Sequence, residues 1–157
     1  MRYRLLFYLL TSSIFLVSWD NKAKVEAFDA QAIINQVESQ VNSFHAADTT
    51  LNADGVVNLL WPEFTMLADG NYVEFKDVKS GSKTFMSSLQ SFNTEWNELR
   101  IRPISPTHAI SSFIFTDSIV AKDGTVTQST GPNTFVWEKR AGVWKVLYGD
   151  ADHYPVE

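Results

Sequence analysis

The chain has 157 residues, of which 45% are hydrophobic and 20% are charged, and it contains no cysteine. These values are typical of one globular domain with a single core, and they exclude disulfides, thiol redox catalysis and thiolate metal sites. Aromatic residues are numerous, with eleven Phe, five Trp and five Tyr. This content favours a fold that lines a cavity as well as filling a core, although an all-aromatic core or an adhesive interface has the same composition.

The first residues have the pattern of a secretory signal. Arg2 and Arg4 precede an apolar run over residues 5–19, which is short for a membrane span. Small residues around Ala27 fit a cleavage site, so we predict a signal peptide over residues 1–27 and a mature chain that starts near Phe28. Export to the periplasm or the extracellular space follows. If the leader is not cleaved, it anchors the protein in the membrane instead.

The charge of the predicted mature chain argues against polyanionic partners. Residues 28–157 hold 9 basic and 16 acidic side chains, which gives a net charge of −7. Such a domain has no basic cluster for nucleic acid, and beyond the leader we expect no membrane contact. The three histidines lack metal-ligand spacing, and no glycine-rich phosphate loop occurs. We therefore predict neither a metal nor a cofactor.

Helical patterns dominate the first half of this domain. Asp29 precedes a helix whose apolar residues recur every three or four positions as far as Phe44, and which ends near residues 46–48. A second, shorter helix over residues 56–60 stops at Pro62. Residues 63–75 form a hairpin with its turn at Asp69 and Gly70. A third helix covers residues 82–92.

From residue 95 onward the pattern is that of strands. We predict strands over residues 96–102, 108–121, 125–140 and 143–153, because β-branched and aromatic residues alternate there between turn signals. Helices followed by long antiparallel strands indicate an α+β domain rather than alternating α/β units. No linker or repeat divides residues 28–157, so one domain is expected.

The last hairpin resembles a known family. Its motif places Trp137, Gly142 and Trp144 in a W-x-(K/R)-x-x-G-x-W-(K/R)-V run, which is similar to the closing hairpin of the NTF2-like superfamily, nearest to its SnoaL-like and DUF4440-type branches. The resemblance covers about residues 32–152. It implies a cone in which a strongly curved antiparallel sheet wraps around the long first helix, with two shorter helices and a pocket at the wide end.

The predicted pocket follows from strand alternation. Tyr148 and Asp150 share the parity of Trp144 on the last strand, so we expect both to point inward. Asp117 follows two phenylalanines at period two and is a second buried carboxylate candidate. Asp150, Asp117 and Tyr148 are thus the candidate catalytic residues, although a solvated strand end or turn explains each of them equally well. The predicted ligand pocket consists of Phe44, Trp61, Met66, Tyr72, Phe113, Phe115, Trp137, Trp144, Tyr148 and Asp150.

The acid–base pattern of one catalytic branch is missing. Ketosteroid isomerases of this family use a Tyr and two Asp, and the matching positions here are near Gln40, Ala68 and Phe135. The resemblance therefore favours a non-catalytic domain that binds a small apolar molecule, with a homodimer through the sheet face. The alternative is a SnoaL-like lyase or isomerase that acts on a carbonyl compound through a carboxylate. A carboxylate with a strongly raised pKa deep in the cone favours this alternative.

Overall fold

The computed structural model describes residues 27–156, so the predicted leader lies outside the described residues and export remains a prediction. Three helices and seven strands make up this part of the chain. They are α1 (Ala30–Thr49), α2 (Ala53–Asn58), β1 (Leu60–Ala68), β2 (Asn71–Glu74), α3 (Phe75–Ser88), β3 (Leu89–Ser105), β4 (His108–Ala121), β5 (Val126–Arg140), β6 (Val143–Ala151) and β7 (Tyr154–Pro155). Among the described helices, none is long and apolar enough to cross a bilayer.

All the strands belong to one curved sheet, which does not close on itself. The strand order is β2-β1-β6-β5-β4-β3, and β7 continues along β5 beyond the end of β6. Every neighbouring pair is antiparallel except β1 and β6, which are parallel. The predicted α+β cone with one long and two shorter helices is confirmed. The parallel pair was not predicted. It arises because β1 meets β6 across the fold instead of through a hairpin.

Helix α1 is the element that the sheet encloses. Asp29 caps its first turn through a hydrogen bond from the Ala32 amide, 3.0 Å long. Val37 and Val41, one turn apart, are fully buried in the same cluster as Trp137 and Trp144. The predicted contact between this helix and the strands of the last hairpin is therefore confirmed. Hydrophobic burial over one helical face fixes α1 inside the cone.

Two helices differ in extent from the prediction. Helix α3 spans Phe75–Ser88 rather than residues 82–92, because Glu74 and Asp77 form a capping box that starts it earlier. Helix α2 already ends at Asn58. Pro62 lies in β1 instead of stopping that helix, at an exposed position where the pairing with β6 shifts register.

A bulge interrupts the pairing of β5 with β6. Trp137 pairs with Val146, but Val136 pairs with Tyr148, so Leu147 is an extra residue on β6. Side chains before and after the bulge therefore alternate in opposite phase. The prediction that inward and outward side chains alternate without interruption along the whole last strand is therefore wrong.

The backbone of Asp152 packs closely against Gly131, and this contact predicts that a larger residue at position 131 lowers stability. A Cβ at this position of β5 would overlap the carbonyl oxygen of Asp152, where the chain passes from β6 to β7. We expect Gly131→Ala to lower the free energy of unfolding by about 1–3 kcal/mol, the usual cost of overpacking. The matched control is Gly81→Ala in α3, where a Cβ has no neighbour within 4 Å and helix propensity predicts a gain of up to about 1 kcal/mol. Urea unfolding measures both variants, and equal stabilities would contradict the prediction.

Candidate functional site

A cavity of about 240 Å³ lies between the C-terminal half of α1 and the inner face of the sheet. Its walls are mostly aromatic. The ring of Trp96 stacks on Phe113 at 4.2 Å, and the ring of Phe44 stacks on Phe135 at 5.2 Å. The apolar lining consists of Phe44, Val56, Leu60, Phe64, Met66, Val78, Phe92, Trp96, Phe113, Phe115, Phe135 and Ala151.

Two carboxyl groups line this cavity, one on the helix and one on the sheet. Asp48 belongs to the last turn of α1, and Asp117 lies on the inner face of β4 with only 7% of its surface exposed. Burial, and secondarily the charge of Asp117, raises the pKa of the Asp48 carboxyl to about 8. The carbonyl end of α1 also disfavours a negative charge there. Asp48 therefore keeps its proton at neutral pH, and the charged form of Asp117 contributes to holding that proton.

Asp117 has a hydrogen-bonded neighbour on the adjacent strand. Thr94 pairs with Asp117 across β3 and β4, and its hydroxyl oxygen accepts the indole N–H of Trp96 at 2.9 Å. The Thr94 hydroxyl proton is thus available to the carboxylate. Burial raises the pKa of Asp117, while the Thr94 hydrogen bond and the charge of His153 oppose that shift. These two partners favour the ionised form of Asp117, but burial is the larger effect and leaves its pKa raised.

His153 lies at the edge of the cavity and is held by Asp69. The backbone N–H of His153 donates to Asp69 Oδ1 at 2.7 Å, and the ring Nδ1 lies 3.1 Å from Asp69 Oδ2. The hydrogen bond from that backbone N–H is the largest cause of a lowered pKa for Asp69. The imidazole, 42% exposed, packs against the ring of Phe115 at 4.8 Å. Asp69, in the β1–β2 turn, thereby fixes the imidazole ring of His153 at the edge of the cavity.

Two buried oxygen atoms in the cavity have no hydrogen-bond partner. They are Oδ1 of Asp117 and Oδ1 of Asn133, and both residues line the cavity. Buried polar atoms are nearly always paired, so unpaired acceptors inside a cavity mark places where a bound molecule supplies the donor. Among the described residues, no group of three His, Asp or Glu side chains is arranged to hold a metal ion.

Part of the predicted pocket lies in this cavity. Phe44, Met66, Phe113 and Phe115 line it, and so does the candidate carboxylate Asp117. The period-two pattern on β4 placed three of these correctly, because no bulge interrupts the pairing of β4 with β5. The roles predicted for these residues stay predictions.

Tyr148 and Asp150 are not in the cavity. The bulge at Leu147 turns both side chains outward, where they pair with Val136 and Thr134 on the outer face of the sheet. Their predicted role at the pocket mouth is therefore wrong, because one extra residue reverses the alternation. The outer face also carries exposed Ile114. The predicted homodimer through this face remains a prediction.

Four other predicted pocket residues lie elsewhere. Trp61 sits at the surface, 4.7 Å from the Arg140 guanidinium, and Tyr72 is 72% exposed in the edge strand. Trp137 and Trp144 are buried in the core around the N-terminal half of α1. Their indole N–H groups donate to Ser111 Oγ and Gln36 Oε1, each at 2.8 Å. Assigning these four to the pocket is wrong, because Trp137 and Trp144 pack in the core, Trp61 packs against a cation and Tyr72 is exposed to solvent.

Sequence reasoning missed several polar residues of the site, namely Asp48, Thr94, Asn133, His153 and Asp69. Asn133 shares the parity of Phe135 on β5, so alternation alone was a signal for it. No sequence signal marked Asp48, because a carboxylate after the last apolar turn of a helix has the pattern of an ordinary helix end. His153 follows the bulge and lies between the end of β6 and the start of β7, so its position depends on irregular backbone.

Comparison with known proteins shows the fold. No family model matches the chain, and no curated protein matches it. Among solved structures, an NTF2-like superfamily protein from Salmonella enterica has a TM-score of 0.70 at 14% identity, over 81% of this chain and 94% of that one. A hexachlorocyclohexane dehydrochlorinase has a TM-score of 0.69 at 10% identity, over 81% and 90%. An NTF-2 like protein from Shewanella oneidensis has a TM-score of 0.62 at 13% identity, over 76% and 98%.

The raised pKa of Asp48 predicts how stability depends on pH. In the unfolded chain this carboxyl loses its proton near 3.8, whereas in the folded chain it keeps the proton until about pH 8. The unfolded state therefore binds fewer protons in this window, and stability falls as pH rises, by at most about 1.4 kcal/mol per pH unit. Asp48→Asn removes the carboxyl that causes this loss of stability, so the variant should be more stable than the parent at pH 8. Denaturant unfolding at several pH values measures the slope.

The control for this measurement is Asp54→Asn, at an exposed position in α2. It should keep the slope of the parent protein. If Asp48→Asn also keeps that slope, the carboxyl of Asp48 is not held neutral by the fold.

Proposed function

We propose, on the premise that this chain has the NTF2-like fold, that its cavity binds a small, largely apolar carbonyl compound and acts on it as a cofactor-independent lyase or isomerase. Asp117 is the base and Asp48 is the acid. The observation that carries this proposal is that two carboxyl groups in one aromatic cavity both have raised pKa values, one of them about 8. A pair of titratable groups with separated protonation states marks acid–base sites.

The volume and the apolar lining of the cavity limit the size and polarity of the substrate. A dry apolar cavity of about 150 Å³ is known to accept benzene, so the present cavity of about 240 Å³ has room for one substituted ring. The stacked pair of Trp96 and Phe113 offers such a ring a flat wall. The substrate therefore has an apolar body, and its reacting group lies between Asp48 and Asp117.

The proposed step is a proton transfer between two carbons through an enol. The Asp117 carboxylate removes a proton from the carbon next to the carbonyl group, and the electron pair of that C–H bond forms the C=C bond of the enol. The carbonyl oxygen takes its proton from the Asp48 carboxyl, so no net charge is created. When a C=C bond adjoins the reacting carbon, the enol is a dienol; Asp117 then returns the proton to its far carbon, the C=O bond forms again and Asp48 regains its proton, which completes an isomerisation. Loss of a leaving group from the neighbouring carbon completes an elimination instead.

Two observations favour this catalytic reading over binding alone. The sequence-based preference for a non-catalytic domain rested on the missing isomerase pattern, but the structure brings Asp48 and Asp117 together from positions that pattern does not use. One structural neighbour is a dehydrochlorinase, so a protein with this fold carries out elimination elsewhere.

Exchange of the methyl protons of acetophenone in D₂O tests the proposed step. Proton NMR should show exchange above the buffer rate, and Asp117→Asn should slow it by about 10²- to 10⁴-fold, the usual contribution of a general base. Asp48→Asn should also slow it, because the enol oxygen loses its proton donor. Asp150→Asn, on the outer face, is the matched control and should exchange at the parental rate.

Two outcomes of this experiment would count against the proposal. If acetophenone binds but exchanges only at the buffer rate, the domain binds without catalysis. If Asp117→Asn and Asp150→Asn exchange equally fast, the base lies elsewhere.

A further inference from the structure

We infer that the ligand of this cavity carries a hydroxyl group at the end opposite its reacting group, that Asn133 binds this hydroxyl, and that the site rejects anionic ligands. The inference deepens the proposed function and rests on it in one respect, since the reacting end is placed at Asp48 and Asp117. The hydroxyl site itself is argued from the geometry around Asn133.

Asn133 and Asp117 mark two separate ends of the cavity. Asn133 pairs directly with Phe113 on β4, and Asp117 lies four residues further along that strand on the same inner face. At about 3.3 Å per residue the two backbone positions are roughly 13 Å apart. The rings of Phe113 and Phe115 cover the floor between them. A ligand that satisfies both ends therefore has two polar groups on opposite sides of an apolar ring.

The polar group at the Asn133 end is best supplied by a hydroxyl. Oδ1 of Asn133 is buried without a partner, and the residues beside it across the sheet are Phe113 and Ala151, which offer no side-chain donor. A hydroxyl can donate to Oδ1, and it can equally accept from the amide nitrogen if the side chain is turned over, so it pairs with Asn133 in either orientation. A ketone or ether oxygen can only accept, so it pairs only with the turned-over amide and leaves Oδ1 unpaired in the orientation of this structure.

The charges in the cavity exclude a carboxylate on the ligand. Among the described residues that line it there is no Lys or Arg, and the ring of His153, at the cavity edge, is already paired with Asp69, whereas two carboxyl groups, Asp48 and Asp117, face the interior. An anion in this apolar space would lose its hydration without gaining an unpaired cation and would be repelled by Asp117. The substrate class is therefore an uncharged hydroxylated ring ketone.

Binding of three matched probes tests this inference independently of catalysis. Acetophenone, 4-hydroxyacetophenone and 4-acetylbenzoate share one ring and one ketone and differ only at the far end. By calorimetric titration at pH 6, 4-hydroxyacetophenone should bind the parent protein about tenfold more tightly than acetophenone, the effect of pairing one buried acceptor. The carboxylate probe should bind at least tenfold more weakly than acetophenone.

Variants of Asn133 test whether its side chain causes the preference for the hydroxylated probe. Asn133→Leu should bind acetophenone as the parent does but lose the preference for the hydroxylated probe, and Asn133→Ala gives the same readout if the larger side chain disturbs folding. Asn97→Leu, at an exposed position on β3, is the control and should keep the preference. Equal affinities of the parent for both ketones would overturn the inference, and so would an unchanged preference in both Asn133 variants.

Failure of the hydroxyl site can be distinguished from failure of the proposed function. If both ketones exchange their methyl protons in the parent but bind equally well, the acid–base function stands and the hydroxyl site falls. If neither ketone exchanges but the preference depends on Asn133, the hydroxyl site stands and the proposed reaction falls.

Discussion

The packing of α1 inside the curved sheet fixes the relative positions of all the groups discussed above. Val37 and Val41 bury one face of the helix completely. Polar contacts hold it at two further points. Gln36 accepts the indole N–H of Trp144 at 2.8 Å near the start of the helix, and the His45 ring lies 2.9 Å from the carbonyl oxygen of Thr94 near its end. Because the helix is fixed at both ends, its last turn holds Asp48 across from Asp117.

The same packing divides the interior into two parts with different energetic roles. Around the N-terminal half of α1 the aromatic residues Trp137 and Trp144 are buried with their N–H groups paired, so this part contributes stability. Around the C-terminal half, the rings surround an open cavity with two carboxyl groups. This part holds a carboxyl at a pKa of about 8 and leaves two acceptors unpaired, which lowers the stability of the fold. Costs of this kind are typical of sites that act on a ligand.

The sequence predicted more of the fold than of the site. Alternation along β4 predicted the inner positions of Phe113, Phe115 and Asp117, and helical periodicity predicted the buried face of α1. Both patterns reflect burial over many residues, so single irregularities do not erase them. The site depends on single irregularities. One extra residue on β6 moves Asp150 to the outer face, and the crossing to β7 brings His153 to the cavity edge. Neither event has a signature in the local residue pattern.

The central claim is that Asp48 and Asp117 share the cavity with different protonation states. A carbon-13 NMR titration of the aspartate side-chain carboxyls, assigned with Asp48→Asn and Asp117→Asn, tests it most directly. We expect the Asp48 resonance to titrate near pH 8, and its pKa to fall in Asp117→Asn because the neighbouring negative charge is gone. If both resonances titrate near the ordinary aspartate value of 3.8, and neither substitution moves the other, the two carboxyls do not form an acid–base pair.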